Sequence, residues 1–166
     1  MKTLLLIRHA KSGWANIGQR DIERTLHERG HQEAILMANQ LANKKLSIDV
    51  LLSSSAVRTR ETCMHFAEVL GMTSDQIQFD AHLYHAPADT LFEVVSQLKD
   101  EVRTIAIFTH NPGITDFVNE LDAGVRIDDM PTAGIFAVDI EVDSWKDCRK
   151  GKKKFLFFDF PNKSSG

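Results

Sequence analysis

The sequence predicts an α/β fold: a three-layer α/β/α sandwich with a mostly parallel central sheet and one antiparallel edge strand. Three observations predict it. Two unbroken apolar runs, Thr3-Leu4-Leu5-Leu6-Ile7 and Thr104-Ile105-Ala106-Ile107-Phe108-Thr109, read as strands buried on both faces. Segments with helical periodicity lie between such runs, and strands alternating with helices mean a parallel sheet with helices on both faces. The last two apolar runs follow each other closely enough to form a hairpin, which turns one edge strand antiparallel.

The elements follow in order. The first strand leads into a polar loop of roughly fifteen to twenty residues, long enough to suggest function. Thr25 and Glu28 have the spacing of a capping box. Behind them Ala34, Met37, Ala38, Leu41 and Ala42 form one apolar helical face, and local reasoning gives no role for Gly30 early in that helix. A short buried strand, Ile48-Asp49-Val50-Leu51-Leu52, precedes Ser53-Ser54-Ser55, and serines are good helix N-caps. The next helix turns Cys63, Phe66, Ala67 and Leu70 inward and ends at Gly71. Ile77-Gln78-Phe79 is a short strand, and Asp89 to Leu98 a helix with Leu91, Val94, Val95 and Leu98 apolar. Gly113 to Leu121 is helical, with Gly124 near its end. Ile135-Phe136-Ala137-Val138-Asp139-Ile140 and Phe155-Leu156-Phe157-Phe158 close the fold. The turn between them holds Lys146, Arg149, Lys150, Lys152, Lys153 and Lys154, a solvated tip.

With 166 residues, one domain over 1–161 is expected, followed by a frayed tail over 162–166. Hydrophobic residues at 43% and charged residues at 26% are ordinary for a globular chain. A net charge of -3 gives no reason to expect nucleic acid, so any anion site must be local. Cys63 and Cys148 lack metal-ligand spacing and read as free thiols in a reducing compartment, with a disulfide between them as the minor alternative. The apolar start is too short for a signal peptide, and Arg8 interrupts it. Nothing approaches membrane-spanning length. A cytoplasmic monomer is the expectation.

Arg8 and His9 end the first apolar strand, and His110-Asn111-Pro112-Gly113 follow the fourth. Open α/β sheets bind ligands in the crevice beyond their strand ends, so two such strands predict one site with two imidazoles. Arg58 falls in the first turn of the helix after the serines. A cation there opposes the helix dipole by roughly 0.3–1 kcal/mol, which an anion at the helix start would offset. Alone, Arg58 reads equally well as an exposed side chain; beside Arg8, His9 and His110, the anion reading wins. Guanidinium groups match two phosphoryl oxygens at once. A neutral His9 attacks phosphorus to give a phosphoramidate, and neighbouring arginines keep it neutral. A bound dianion pushes the other way, which suits His110 as a charged donor to the phosphoryl oxygens. His27 and His31 have the spacing of a helix pair but read as surface positions, since no ligand pattern completes a metal site. His65 reads as packed or half-exposed. His82 and His85 flank Leu83-Tyr84 and are candidates for the pocket rim. No glycine-rich phosphate loop, serine elbow or paired-aspartate metal centre is present, so neither metal nor cofactor is expected.

Leu6-Ile7-Arg8-His9-Ala10-Lys11-Ser12 resembles the signature of the histidine phosphatase superfamily, which includes phosphoglycerate mutases. Asp49 through Thr62 is similar to its second arginine motif, and Thr109-His110-Asn111-Pro112-Gly113 to its second histidine motif. Asp21 with Arg24-Thr25-Leu26, Leu83-Tyr84-His85-Ala86, and Thr132-Ala133-Gly134 resemble the small SixA branch of phosphohistidine phosphatases. The resemblance implies that His9 is the phosphorylated nucleophile and that Arg8, Arg58 and His110 complete the phosphate pocket. It adds Ser12, Asn16 and Arg24 as further phosphate or substrate contacts.

Mutase-like members carry an acidic proton donor, commonly glutamate, for an alkoxide leaving group. Here the corresponding stretch reads Phe79-Asp80-Ala81-His82-Leu83-Tyr84, without that glutamate, and the insertion that closes over a sugar phosphate is missing. General acid catalysis is worth roughly 10²–10⁴-fold, so ester hydrolysis would be slow. Imidazole, once protonated, leaves far more readily. The expectation is a metal-independent phosphatase acting on phosphohistidine of a protein, such as a histidine-containing phosphotransfer domain in a signalling relay. The alternatives are a small-molecule phosphomonoesterase, with Asp80 or a pocket histidine as acid, and a non-catalytic phosphate-binding module.

Overall fold

The computed structural model describes residues 1–14 and 17–162. Its strands are β1 (Lys2–Arg8), β2 (Val50–Ser54), β3 (Ile77–Asp80), β4 (Thr104–Thr109), β5 (Ile135–Glu141) and β6 (Lys152–Asp159). Its α-helices are α1 (Glu28–Asn43), α2 (Val57–Leu70), α3 (Ala88–Ser96) and α4 (Gly113–Glu120).

The strands form one six-stranded sheet in the order β3-β2-β4-β1-β5-β6. β3, β2, β4 and β1 pair in parallel, as buried apolar runs should. β5 runs antiparallel to β1, and β6 antiparallel to β5. The three-layer, mostly parallel class therefore holds, with the reversed strand one place in from the edge. β6 begins at Lys152, so Lys152, Lys153 and Lys154 belong to the strand rather than to the turn.

Alternation along β1 builds two cores. Leu4 and Leu6 face one side and join Leu91, Phe92, Ile114, Phe117 and Val118 of α3 and α4. Leu5 and Ile7 face the other and join Ala34, Met37, Cys63 and Phe66 of α1 and α2. Each fully buried Leu, Ile or Phe contributes roughly 1.5–3 kcal/mol.

Two expected caps are replaced. α1 starts at Glu28 with His27 at its N-cap, not Thr25, because Leu26 pairs in an isolated bridge with Ser12 and so the chain stays extended past Thr25. α2 is capped at Ala56, since Ser53 and Ser54 are still in β2. Gly30 now has a reason. A Cβ there would lie 2.0 Å from the Lys11 carbonyl oxygen, so only glycine lets α1 touch the chain leaving β1. Gly113 plays the same part at α4, where a Cβ would lie 1.8 Å from the Ala86 carbonyl oxygen.

Candidate active site

β1 and β4 are adjacent and parallel, with Arg8 opposite Thr109. His9 and His110 are the next residues on each strand, so the register itself sets the two imidazoles side by side. Their ring centroids are 5.3 Å apart. From this point the chain leaves β1 towards α1 and leaves β4 towards α4, helices that pack on opposite faces. A crevice between diverging connections is where α/β sheets bind ligands.

The cleft here has a volume of about 330 Å³. Arg8, His9, Ser12, Arg24, Arg58 and His110 all line it, so six of the seven site residues expected from sequence meet at one place. The seventh, Asn16, lies outside the described residues. A larger cleft of about 580 Å³ lies over α2 beside His31, Met64 and His65. It holds neither strand-end histidine, and we place the chemistry in the smaller one.

His9 is almost fully buried. Its Nδ1 lies 2.8 Å from the Ala10 carbonyl oxygen. A carbonyl only accepts, so Nδ1 carries the hydrogen and Nε2 keeps its lone pair. Burial lowers the His9 pKa, the Ala10 bond partly opposes this, and Arg58, Arg8 and Arg24 lower it further, to about 4. The ring is therefore neutral at pH 7, as a nucleophile requires.

His110 is held even lower, at about 3, by burial and then by His9, Arg58 and His85, with Asp21 opposing. Its Nε2 lies 2.8 Å from Ser54 Oγ, and its Nδ1 faces Arg58 Nη2 at 3.5 Å. The ring is thus neutral by itself, and a charged His110 requires the field of a bound phosphoryl dianion.

Arg8 donates from Nη1 to the Met130 carbonyl at 2.8 Å, while its buried Nε has no hydrogen-bond partner among the described residues. An unmade buried donor costs roughly 1–3 kcal/mol, and an oxyanion in the cleft would satisfy it. Arg58 is 3% exposed, which removes the reading of a cation reaching into water. Arg24 donates to Ser12 Oγ at 3.0 Å, and its guanidinium lies 4.5 Å above the Trp14 ring.

Asp21 gathers the site, although sequence reasoning gave it no role. Its carboxylate accepts from Arg24 at 3.1 Å, from Arg58 at 3.0 Å and from the Tyr84 hydroxyl at 2.5 Å. Burial alone would raise this carboxyl, but the bonds from Tyr84, Arg24 and Arg58 outweigh it and hold Asp21 well below the usual carboxylate range. The available signal was the Asp21-to-Arg24 spacing inside the long polar loop after β1.

The loop from Tyr84 to Pro87 supplies the remaining wall. Thr109 Oγ1 donates to the Leu83 carbonyl at 3.0 Å, and Gly113 lets Ala86 approach, so this loop is fixed on the segment that carries His110. His85 sits there in the left-handed region, at φ 51. Such a conformation costs of order 1–3 kcal/mol outside glycine and persists where the surroundings impose it. His85 lines the cleft and His82 does not. Asp80 is also absent from the lining; it accepts from the His82 backbone N–H at 2.9 Å and from the His82 ring at 2.8 Å. His31, with 39% of its side chain exposed, pairs with His65 at 2.8 Å, away from the cleft.

Residues 4–85 match the family described as the histidine phosphatase superfamily, branch 1. An uncharacterized protein of Mycobacterium leprae is 29% identical over 93% of this chain and 99% of its own length. A crystal structure described as a putative phosphohistidine phosphatase SixA from Agrobacterium tumefaciens superposes with a TM-score of 0.80. It is 26% identical and covers 96% of this chain and 98% of its own. The fold is also that of the protein histidine phosphatase SixA complexed with tungstate, at a TM-score of 0.80 and 22% identity, over 96% of this chain and 97% of that one.

Proposed function

Because the chain belongs to the histidine phosphatase superfamily and is similar to its SixA-type members, we propose that it hydrolyses phosphohistidine on a protein, through a phosphoenzyme at His9. Phosphatase chemistry follows from the family; the substrate class is the further step.

One observation carries that step. Asp21 is the sole carboxylate among the described residues that line the cleft, and it is locked as an anion by Arg24, Arg58 and Tyr84. No carboxylic acid stands ready for an alkoxide. A phosphoryl–nitrogen bond needs less help, because a protonated imidazole leaves as a neutral ring. In the first half-reaction, His9 Nε2 attacks phosphorus in line and the phosphoryl–nitrogen bond of the substrate breaks. Arg8, Arg58 and His110 stabilise charge on the equatorial oxygens, so the protein side chains meet this charge without a metal. Water then attacks the phosphoenzyme, and the electron pair returns to Nε2. Ser12 and Arg24 hold the outer side of the phosphoryl group.

The protein substrate fits a histidine-containing phosphotransfer domain, whose phosphohistidine is itself exposed. The experiment is to incubate the protein with a phosphohistidine peptide and with a panel of alkyl phosphate esters, and to trap the enzyme by denaturation. An acid-labile phosphate on His9 with fast peptide turnover is expected, and His9→Ala abolishes both. Esters cleaved faster than the peptide would make it a small-molecule phosphatase. Phosphate binding with no trapped intermediate would make it a binding module.

A further inference from the structure

The two half-reactions leave the proton of the leaving group unassigned. The cleft offers few groups that hand on a proton. Asp21 is an anion tied by two arginines and a tyrosine, His9 is the nucleophile, and guanidinium groups do not release protons. His110 is buried beneath the site and engaged by Ser54 and Arg58.

His85 differs from all of them. It lines the same cleft but stands at its mouth, with a side chain 54% exposed. Its Nε2 lies 3.1 Å from Asp21 Oδ2. An ionised carboxylate only accepts, so Nε2 carries a hydrogen and Nδ1 is the nitrogen left to bind and release a second one. Tyr84 lies against the ring at a centroid distance of 4.2 Å, and the His110 ring at 5.4 Å. Tyr84 also bonds the same carboxylate oxygen, so Asp21, Tyr84 and the imposed backbone conformation fix the ring in one orientation.

We propose that His85, oriented by Asp21, is the proton donor to the leaving group. This rests on phosphoryl transfer to His9 as argued above. In the first step, the imidazolium of His85 gives its Nδ1 proton to the substrate ring nitrogen that does not carry phosphorus. The phosphoryl–nitrogen bond breaks, its electron pair stays on that ring, and a neutral imidazole departs as the His9–phosphorus bond forms. In the second step, water attacks phosphorus, its proton passes to solvent as the oxygen–phosphorus bond forms, and His9 is released neutral. Solvent at the cleft mouth restores the proton that His85 gives up, since its side chain is 54% exposed. A donor at the rim suits this substrate, because the nitrogen to be protonated lies on the far side of the leaving ring. His85 is a catalytic residue in this scheme, and Asp21 a positioning one.

The test compares leaving groups. His85→Asn keeps a residue type that tolerates the left-handed backbone. With a phosphohistidine peptide, this variant should lose on the order of 10²-fold in kcat, the lower end of what general acid catalysis contributes. With p-nitrophenyl phosphate, whose leaving group needs no proton, kcat should fall by less than about fivefold on the same argument. That near-normal activity also certifies the fold. Equal losses on both substrates, or no loss on the peptide, would overturn the assignment. Failure of the substrate reading looks different: the wild-type protein would cleave aryl phosphates and ignore the peptide. The comparison is then made between phenyl and p-nitrophenyl phosphate, which differ in leaving-group basicity. A loss confined to the phenyl ester would keep His85 as the donor, and equal losses on the two esters would remove it. A wild-type protein inert on all three substrates would reject both ideas.

Discussion

Arg58 and Asp21, thirty-seven residues apart, are joined twice: Nη2 lies 3.0 Å from Oδ2, and Nη1 donates to the Asp21 carbonyl at 2.7 Å. The first arginine of α2 is therefore fixed by the loop that follows β1, before any phosphoryl group arrives. A carboxylate beside the phosphate site also repels the substrate anion. Asp21→Asn should separate the two effects. Loss of the fixed geometry lowers kcat by roughly 10–10²-fold, within the range for losing a preorganised contact. Loss of the negative charge leaves KM unchanged or lower. Steady-state kinetics on a phosphohistidine peptide give both constants, and a raised KM would show that the charge is not in competition.

Arg58 offers a second test. Arg58→Ala should cost on the order of 10²–10³-fold in kcat, like other preorganised charge stabilisers. Arg58→Lys keeps the charge but loses the planar fork that holds Asp21 and an oxyanion together. Its loss should remain above about tenfold. Full activity in the lysine variant would mean that charge alone matters.

The pH dependence of stability has a definite sign. The folded pKa of His9, about 4, lies below the ordinary imidazole value of 6.5. As the pH falls below 6.5 the unfolded chain takes up the proton first, so stability drops until the folded site titrates near 4. His110, at about 3, adds a drop of the same sign that continues lower. Each buried ring contributes at most about 1.4 kcal/mol per pH unit. Urea denaturation at pH 7 and pH 5 should show His9→Gln losing about 2 kcal/mol less than the wild-type protein. Parallel losses would place His9 in water.

Gly30→Ala sets two magnitudes against each other. Helix propensity favours alanine by about 1 kcal/mol. The added Cβ would stand 2.0 Å from the Lys11 carbonyl oxygen, a backbone atom that cannot step aside without moving the chain next to His9. Overpacking costs typically about 1–3 kcal/mol, so the clash wins. A lower denaturation midpoint together with reduced turnover is expected. A stabilised variant would show that α1 is free to shift.

The strands were legible because runs such as Thr104–Thr109 are apolar on both faces, which few other environments allow. The same runs announced their own ends, and that made Arg8, His9 and His110 readable. Arg58 was readable from its place on α2. Asp21 was legible only as part of a stretch that resembles the SixA branch, and its role was not: a carboxylate in a polar loop looks solvated until Arg24, Arg58 and Tyr84 arrive from three places in the chain. The caps failed for a related reason. Thr25 has the right neighbours for a helix start, but the bridge between Ser12 and Leu26 holds the chain extended beyond it. Gly30 and the φ of His85 answer to backbone from distant segments, which no local pattern encodes.

In β1, even-numbered leucines serve one core and odd-numbered residues the other, and Arg8 and His9 continue directly from that alternation. Parity along the strand therefore governs two properties at once. Deleting a single leucine would exchange the two hydrophobic layers and, in the same stroke, carry the nucleophile to the wrong side of the crevice. This strand cannot drift by one residue through insertion or deletion and keep either its packing or its chemistry.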